Sequence, residues 1–278
     1  MGLQPDQWSG YFINLDRSAD RRQTIEAALS DLGLASLYKR FPAVDGASLP
    51  RGGMLKPAVL GCFRSHYHAL AQARHDGRFV HILEDDAVPS KEMAPALQAA
   101  IISRRLDPYD LIFTDIFFQF DLHLIRLLKS GFDLYLRDGS LQLLDLKEVM
   151  FACMSSYLVN PRSLKVIVSL LETEIVRGPT LPVDLFLRKK IGDGTLKAAC
   201  LFPFLTSVDG SESTIDSGRG AADAASIMLR HAFFVGGDPD EDRRKMQRIA
   251  NLAGSDHSDT RLDLLAEILR LYISDKFR

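Results

Sequence analysis

Three consecutive carboxylates, Glu84-Asp85-Asp86, directly follow the apolar run Phe79-Val80-His81-Ile82-Leu83. Acids make up 36 of the 278 residues, so a triple acid is expected about 0.6 times by chance and the triplet alone says little. Its position says more. Adjacent carboxylates repel one another, and a fold that sets them at the end of a buried strand recovers that cost from a bound cation. Strand alternation points Glu84 and Asp86 one way and Asp85 the other. An oxygen-only donor set suits Mg²⁺ or Mn²⁺, ions that commonly take one or two carboxylates and complete their shell with substrate phosphates. A nucleotide diphosphate is the natural other half of such a site. The alternative is a solvated acidic loop that caps the following helix.

A second group occupies the stretch Asn14-Leu15-Asp16-Arg17-Ser18-Ala19-Asp20-Arg21-Arg22, where a strand gives way to a helix. Backbone N–H groups and arginines converging there suit a phosphate or nucleotide. The same residues also read as ordinary Asp/Ser capping with exposed arginines. Asp184 follows Pro182 within an apolar stretch and is either a helix N-terminal cap or a carboxylate aimed into a pocket. Asp115 sits just past Leu111-Ile112-Phe113. His66, His68, His75 and His81, with Cys62 four residues before His66 on one helical face, offer a zinc reading. No further paired ligands accompany them, so Cys62 reads as a small core residue and the acidic triplet as the better metal site.

The elements that must hold these groups follow from pattern. Tyr11 to Leu15 predicts a strand, and Ile25, Ala28, Leu29 and Leu32 recur at helical spacing until Gly33 stops them. A second strand is expected over 37–41, then a long loop through Pro42, Asp45, Gly46 and Pro50. Pro57 suits the first turn of a helix running to about Arg74. Strands are expected over 79–83, 111–113, 150–159 and 198–202, with a hairpin turning at Asp138-Gly139 between 134–136 and 141–146. Leu164, Ile167, Val168 and Leu171 mark one face of a helix, and a shorter helix opens at Pro182. Strands alternating with helices predict an α/β fold on a mainly parallel sheet, in which ligands bind beyond the carboxyl ends of the strands. Past Pro203 the texture changes to Ser, Gly and Asp, then to three helical patterns, which divides the chain into 1–215 and a helical appendage over 216–278.

Composition narrows the function. Lys and Arg number 34 against 36 acids, a net charge of −2, so no basic excess exists to neutralise a nucleic acid backbone. Three widely spaced cysteines fit a reducing cytoplasm. No apolar run reaches the roughly 18 residues needed to cross a bilayer. Oligomeric state leaves no mark on the sequence.

Taken in order, the segments 11–22 (YFINLDRSADRR), 41–46 (FPAVDG), 61–66 (GCFRSH) and 82–87 (ILEDDA) resemble glycosyltransferase family 25, which includes lipopolysaccharide-type enzymes and the collagen galactosyltransferases. The resemblance extends more faintly to Ser156-Tyr157-Leu158-Val159, Pro182-Val183-Asp184 and the 211–215 stretch. It implies a GT-A-like, Rossmann-type fold and a metal-dependent, inverting transfer of galactose or glucose. The donor would be a nucleotide diphosphate sugar, UDP-hexose first, and the acceptor a hydroxyl of lipopolysaccharide or another surface glycan. Carried onto this chain, it implies that Glu84 and Asp86 hold Mn²⁺ or Mg²⁺, and that Asn14, Leu15, Arg17, Arg22, Ser65 and Asp85 contact the donor. Asp184 would be the base, with Asp115 in reserve. The cysteine pattern and the lack of a spanning run together lead to the expectation of a cytoplasmic enzyme, with peripheral contact at the inner face of a membrane left open. Arg64 and Ala87 depart from the family's apolar residue and Val at those places. The rival readings are a nucleotidyltransferase or phosphohydrolase, for which no Asp-x-Asp-x-Thr motif or glycine-rich loop is present, and a donor-binding scaffold of the same fold that has lost turnover.

Overall fold

A computed structural model describes residues 7–49, 53–118, 122–208 and 230–236. In chain order the elements are β1 (Trp8–Asn14), α1 (Ala19–Asp31), β2 (Tyr38–Pro42), a 3₁₀ turn (Gly46–Ser48), α2 (Pro57–Ala73), β3 (Phe79–Glu84), β4 (Ala87–Pro89) and α3 (Met93–Ile102). They continue with β5 (Leu111–Phe113), β6 (Phe117–Phe118), α4 (Leu122–Asp138), β7 (Gln142–Asp145), β8 (Phe151–Ala152) and β9 (Ser156–Val159). α5 (Leu164–Arg177), α6 (Val183–Gly192), β10 (Ala198–Phe202) and β11 (Thr206–Val208) complete the order.

Seven strands form the central sheet in the order β2-β1-β3-β9-β5-β10-β7. Five run the same way, and β9 and β7 run against them. The sheet is covered on both faces, which is why its strands read as nearly continuous apolar runs. Tyr11, Ile13, Val80 and Ile82 face a core built with Phe63 and Leu70 of α2, Ile167 and Leu171 of α5 and Phe186 of α6. Trp8, Phe12, Leu83 and Leu158 face the opposite core with Ile25 and Leu29 of α1 and Met93 and Leu97 of α3. The mainly parallel α/β fold with flanking helices is therefore as the sequence predicts.

Three local expectations change. The stretch 134–136 is the end of α4 rather than a hairpin arm. Gly139, at φ +73°, donates its N–H to the Tyr135 carbonyl at 2.7 Å and so ends a helix. The single strand expected over 150–159 is two, β8 and β9, because Cys153 takes a left-handed φ of +83° between them. Residues 230–236, placed by the sequence in a separate appendage, pack into the main core: Phe233 stacks edge-on with Phe202 and Phe132, and Phe234 bridges to Phe204. The remaining expectations beyond Val208, including the 215/216 boundary and the three C-terminal helical patterns, lie outside the described residues.

Topology places the crevice. β2 and β3 lie on opposite sides of β1; α1 joins β1 to β2 on one face of the sheet and α2 carries the chain from β2 across to β3 on the other, which opens a gap above the carboxyl ends of β1 and β3. The loop after β2 closes one side of that gap by backbone contact: a Cβ on Gly61 would stand 2.7 Å from the Val44 carbonyl oxygen, and one on Gly46 would stand 2.1 Å from that of Pro57. Only glycine at both places lets the Val44–Gly46 loop lie on α2.

His81, in the middle of β3, is fully buried between the Tyr38 hydroxyl at 2.6 Å and Ser156 Oγ at 3.0 Å. Burial holds its pKa down to about 3. The unfolded chain binds a proton here near pH 6.5 while the folded one does not, so stability falls as pH drops through that value. This group contributes a slope of up to about 1.4 kcal/mol per pH unit. Denaturant melts at stepped pH between 6.5 and 5 are expected to show a flatter loss in His81→Gln than in the wild type; identical slopes would contradict this.

Candidate active site

A pocket of about 310 Å³ opens at the carboxyl ends of β1 and β3, walled by the loop after β2 and the first turns of α2. Asn14 ends β1, and its side-chain amide donates to Asp85 Oδ2 at 2.7 Å. Arg40 of β2 holds the other end of that amide, donating through Nε to Asn14 Oδ1 at 2.9 Å. It also donates to the Asn14 carbonyl and to Asp16. Arg21, on the first turn of α1, donates to Asp85 Oδ1 at 3.1 Å. Asp85 is thus fixed through both oxygens by groups from β1 and α1.

Glu84 turns the other way, as strand alternation requires. His66 Nε2 lies 3.0 Å from Glu84 Oε1, its Nδ1 lies 3.0 Å from the buried Tyr157 hydroxyl of β9, and Cys62 Sγ is 3.9 Å from the same Glu84 oxygen. Burial alone would raise the Glu84 pKa. The hydrogen bond and charge of His66, helped by Arg230 and Arg21, outweigh it and hold the carboxyl below the ordinary glutamate range. Asp86 completes the acidic wall of the pocket, and across the mouth Arg17 pairs with Asp45. The pocket is therefore lined by four carboxylates, Asp45, Glu84, Asp85 and Asp86, against two arginines, Arg17 and Arg21. The triplet leads into β4, so it does not cap a following helix.

The structure brings Leu15, Arg17, Ser65, Glu84, Asp85 and Asp86 together around this pocket and sets Asn14 directly behind it. Ser65 is committed to the scaffold. Its hydroxyl accepts the Val44 N–H at 2.8 Å and donates to the Gly61 carbonyl at 2.7 Å. Arg22 does not join the pocket. It pairs with Glu26 at 2.8 Å on the exposed face of α1, and Arg21, one residue and about 100° around the helix, takes the place expected for it. Asp184 stands outside the lining. Its Oδ2 accepts the Cys153 N–H at 3.0 Å and its Oδ1 the Leu185 N–H at 2.8 Å, which pins the left-handed turn between β8 and β9 to the start of α6. Asp115 cannot serve as a reserve base: it is fully buried and ion-paired with Arg230. Burial would lower the Arg230 pKa, but Asp115 and Cys153 drive it upward, so the guanidinium stays charged. Burial also lifts the Cys153 thiol to about 11, which keeps it protonated and poorly nucleophilic.

Sequence reading missed the partners of the acids rather than the acids. Arg21, Arg40, His66 and Arg230 each meet a residue between 18 and 115 positions away. Asp45 and His66 lie inside segments that carry the family resemblance, and that was the available signal. Of the remaining histidines in the zinc reading, His68 and His75 are exposed and His81 is enclosed in the sheet.

The family model for glycosyltransferase family 25, described as an LPS biosynthesis protein, matches residues 8–187. That span is well over half of the chain and carries the whole pocket. The chain belongs to glycosyltransferase family 25, and the Rossmann-like sheet described above is the fold of a glycosyltransferase. No curated protein matches the chain.

In His66→Gln the hydrogen bond and charge that oppose burial are reduced, so the Glu84 carboxyl is expected to titrate at higher pH than in the wild type. Carbon-detected NMR titration of the glutamate carboxyls reads this directly. An unmoved Glu84 would show that His66 does not set its charge.

Proposed function

We propose that this chain is a metal-dependent, inverting hexosyltransferase of GT-A type. It moves galactose or glucose from a nucleotide diphosphate sugar, UDP-hexose first, to a hydroxyl of lipopolysaccharide or another surface glycan. The observation that carries this reading is the charge pattern of the pocket. Four carboxylates against two arginines would repel a diphosphate, and a divalent cation reverses that sign. Glu84 and Asp86 are oxygen donors that both line the pocket, and they would hold such an ion. When bound there, Mg²⁺ or Mn²⁺ supplies positive charge that stabilises the departing diphosphate.

The chain's own residues do the rest. Arg17 and Arg21 line the pocket and would meet the donor phosphates, and Leu15 would offer an apolar contact. Asp85, immobilised by Asn14 and Arg21, presents a fixed acceptor for ribose or sugar hydroxyls. Asp184 is the proposed base for the acceptor hydroxyl. It is close enough to Cys62 for its charge to raise that thiol's pKa, and its two backbone hydrogen bonds leave each oxygen a second lone pair. A single displacement needs that carboxylate on the face opposite the leaving group, as inverting glycosidases do. No helix among the described residues is long and apolar enough to cross a membrane, and a cytoplasmic enzyme meeting a membrane-borne acceptor peripherally fits this reading.

Incubation with UDP-galactose and UDP-glucose, with Mn²⁺, Mg²⁺ or chelator, tests it. Turnover is expected only with metal, with the product anomer opposite to that of the donor by NMR. Asp86→Ala is expected to lose about 100-fold or more in kcat/KM. Asp184→Asn is expected to lose about 100-fold in kcat with the donor KM retained. Chelator-insensitive turnover, or a retained anomer, would contradict the proposal.

A further inference from the structure

Cys62 and His66 are one helical turn apart on the inner face of α2, and β3 delivers Glu84 to the same point. One ligand atom from each, a thiol sulfur, an imidazole nitrogen and a carboxylate oxygen, lies within 4.8 Å of the other two. Two of the edges are 3.0 Å for His66 Nε2 to Glu84 Oε1 and 3.9 Å for Cys62 Sγ to the same oxygen. In a tetrahedral zinc site, neighbouring ligand atoms stand on the order of 3.2–3.7 Å apart, so the third edge, at most 4.8 Å, needs to contract by no more than about 1 Å. All three residues line the pocket, which leaves a fourth position open to solvent or ligand.

A second observation points to the same use. His66 Nδ1 is held at 3.0 Å by the Tyr157 hydroxyl, which is fully buried in β9. Histidines that ligate metals characteristically have the other ring nitrogen held in this way, which fixes the ring and its tautomer.

We propose that Cys62, His66 and Glu84 form a binding site for a thiophilic divalent cation of the Zn²⁺ or Co²⁺ class. It shares Glu84 with the hard-cation pair Glu84 and Asp86 but differs from it in ligand chemistry. On binding, the Cys62 S–H bond breaks, the sulfur donates to the metal, and the proton leaves to solvent. The His66 imidazolium likewise releases its Nε2 proton to solvent and keeps the Nδ1 proton, donated to the Tyr157 hydroxyl oxygen, and Nε2 and a Glu84 oxygen complete the protein's three ligands. No electron transfer is involved. The site rests on the pocket geometry and not on the proposed transfer reaction, and its test uses neither donor nor acceptor.

Co²⁺ titrated into the full, chelator-stripped chain is the probe. A stoichiometric ion on this triad is expected to give a thiolate-to-cobalt charge-transfer band in the near ultraviolet, together with intense visible bands of low coordination number. Both should vanish on addition of one equivalent of Zn²⁺. Cys62→Ser should abolish the charge-transfer band, His66→Gln should weaken cobalt affinity by about tenfold or more, and Cys153→Ser should change neither. Circular dichroism on each variant separates lost binding from lost folding. A folded wild type with no charge-transfer band overturns the proposal. So does a band that survives in Cys62→Ser and disappears in Cys153→Ser. A transferase that works with Mn²⁺ while showing no cobalt–thiolate band would leave the proposed function standing and remove this site alone.

Discussion

One hydrogen bond, from the Asn14 amide to the Asp85 carboxylate at 2.7 Å, ties together the carboxyl ends of two neighbouring parallel strands. The pocket is organised around it. Arg40 reaches from β2 to orient the Asn14 amide, and Arg21 reaches from α1 to the other Asp85 oxygen. Three strands and a helix thus meet at one carboxylate. The fixed Asp85 leaves Glu84 and Asp86 on either side of it in the chain to take other directions, which is how three adjacent acids are accommodated without sharing one volume of low dielectric.

A second joint stands behind the first. His66 connects α2 to β3 through Glu84 and to β9 through Tyr157. The close backbone approach at Gly46 and Gly61 presses the loop after β2 against the same helix. The buried Asp115–Arg230 pair carries a charge from residues 230–236 into the core, where Arg230 also helps keep Glu84 ionised. Removing either partner would leave a buried charge uncompensated, which is a larger penalty than the pair's own contribution.

The central scaffold was legible where length and periodicity agreed. β5 and β10 are unbroken apolar runs, β3 is interrupted only by His81 before its terminal Glu84, and α5 buries Leu164, Ile167, Val168 and Leu171 as their spacing requires. The failures have local causes. Asp138-Gly139 carries hairpin chemistry, but Ile125 and Leu128 at helical spacing belong to α4, and the glycine ends that helix. Cys153 breaks a strand by adopting a backbone conformation that its residue type does not announce. The acids of the site were readable because they cluster in sequence. Their cations were not, because Arg40 and Arg230 look like surface residues until the sheet brings them to Asn14 and Asp115. The choice of Arg22 over Arg21 shows the limit most simply: one helical step separates a solvent-facing ion pair from a pocket wall.

The central claim is that the acidic wall accepts an anionic nucleotide only with a cation between them, so metal and nucleotide must bind cooperatively. Thermal melts of wild type and Asp86→Ala with UDP alone, Mn²⁺ alone and both together measure that coupling, since a ligand that prefers the folded state raises the midpoint. UDP is expected to raise the wild-type Tm substantially only when Mn²⁺ is present, by more than the separate shifts combined, and this excess is expected to be lost in Asp86→Ala. An equal UDP shift with and without metal in both proteins would contradict it.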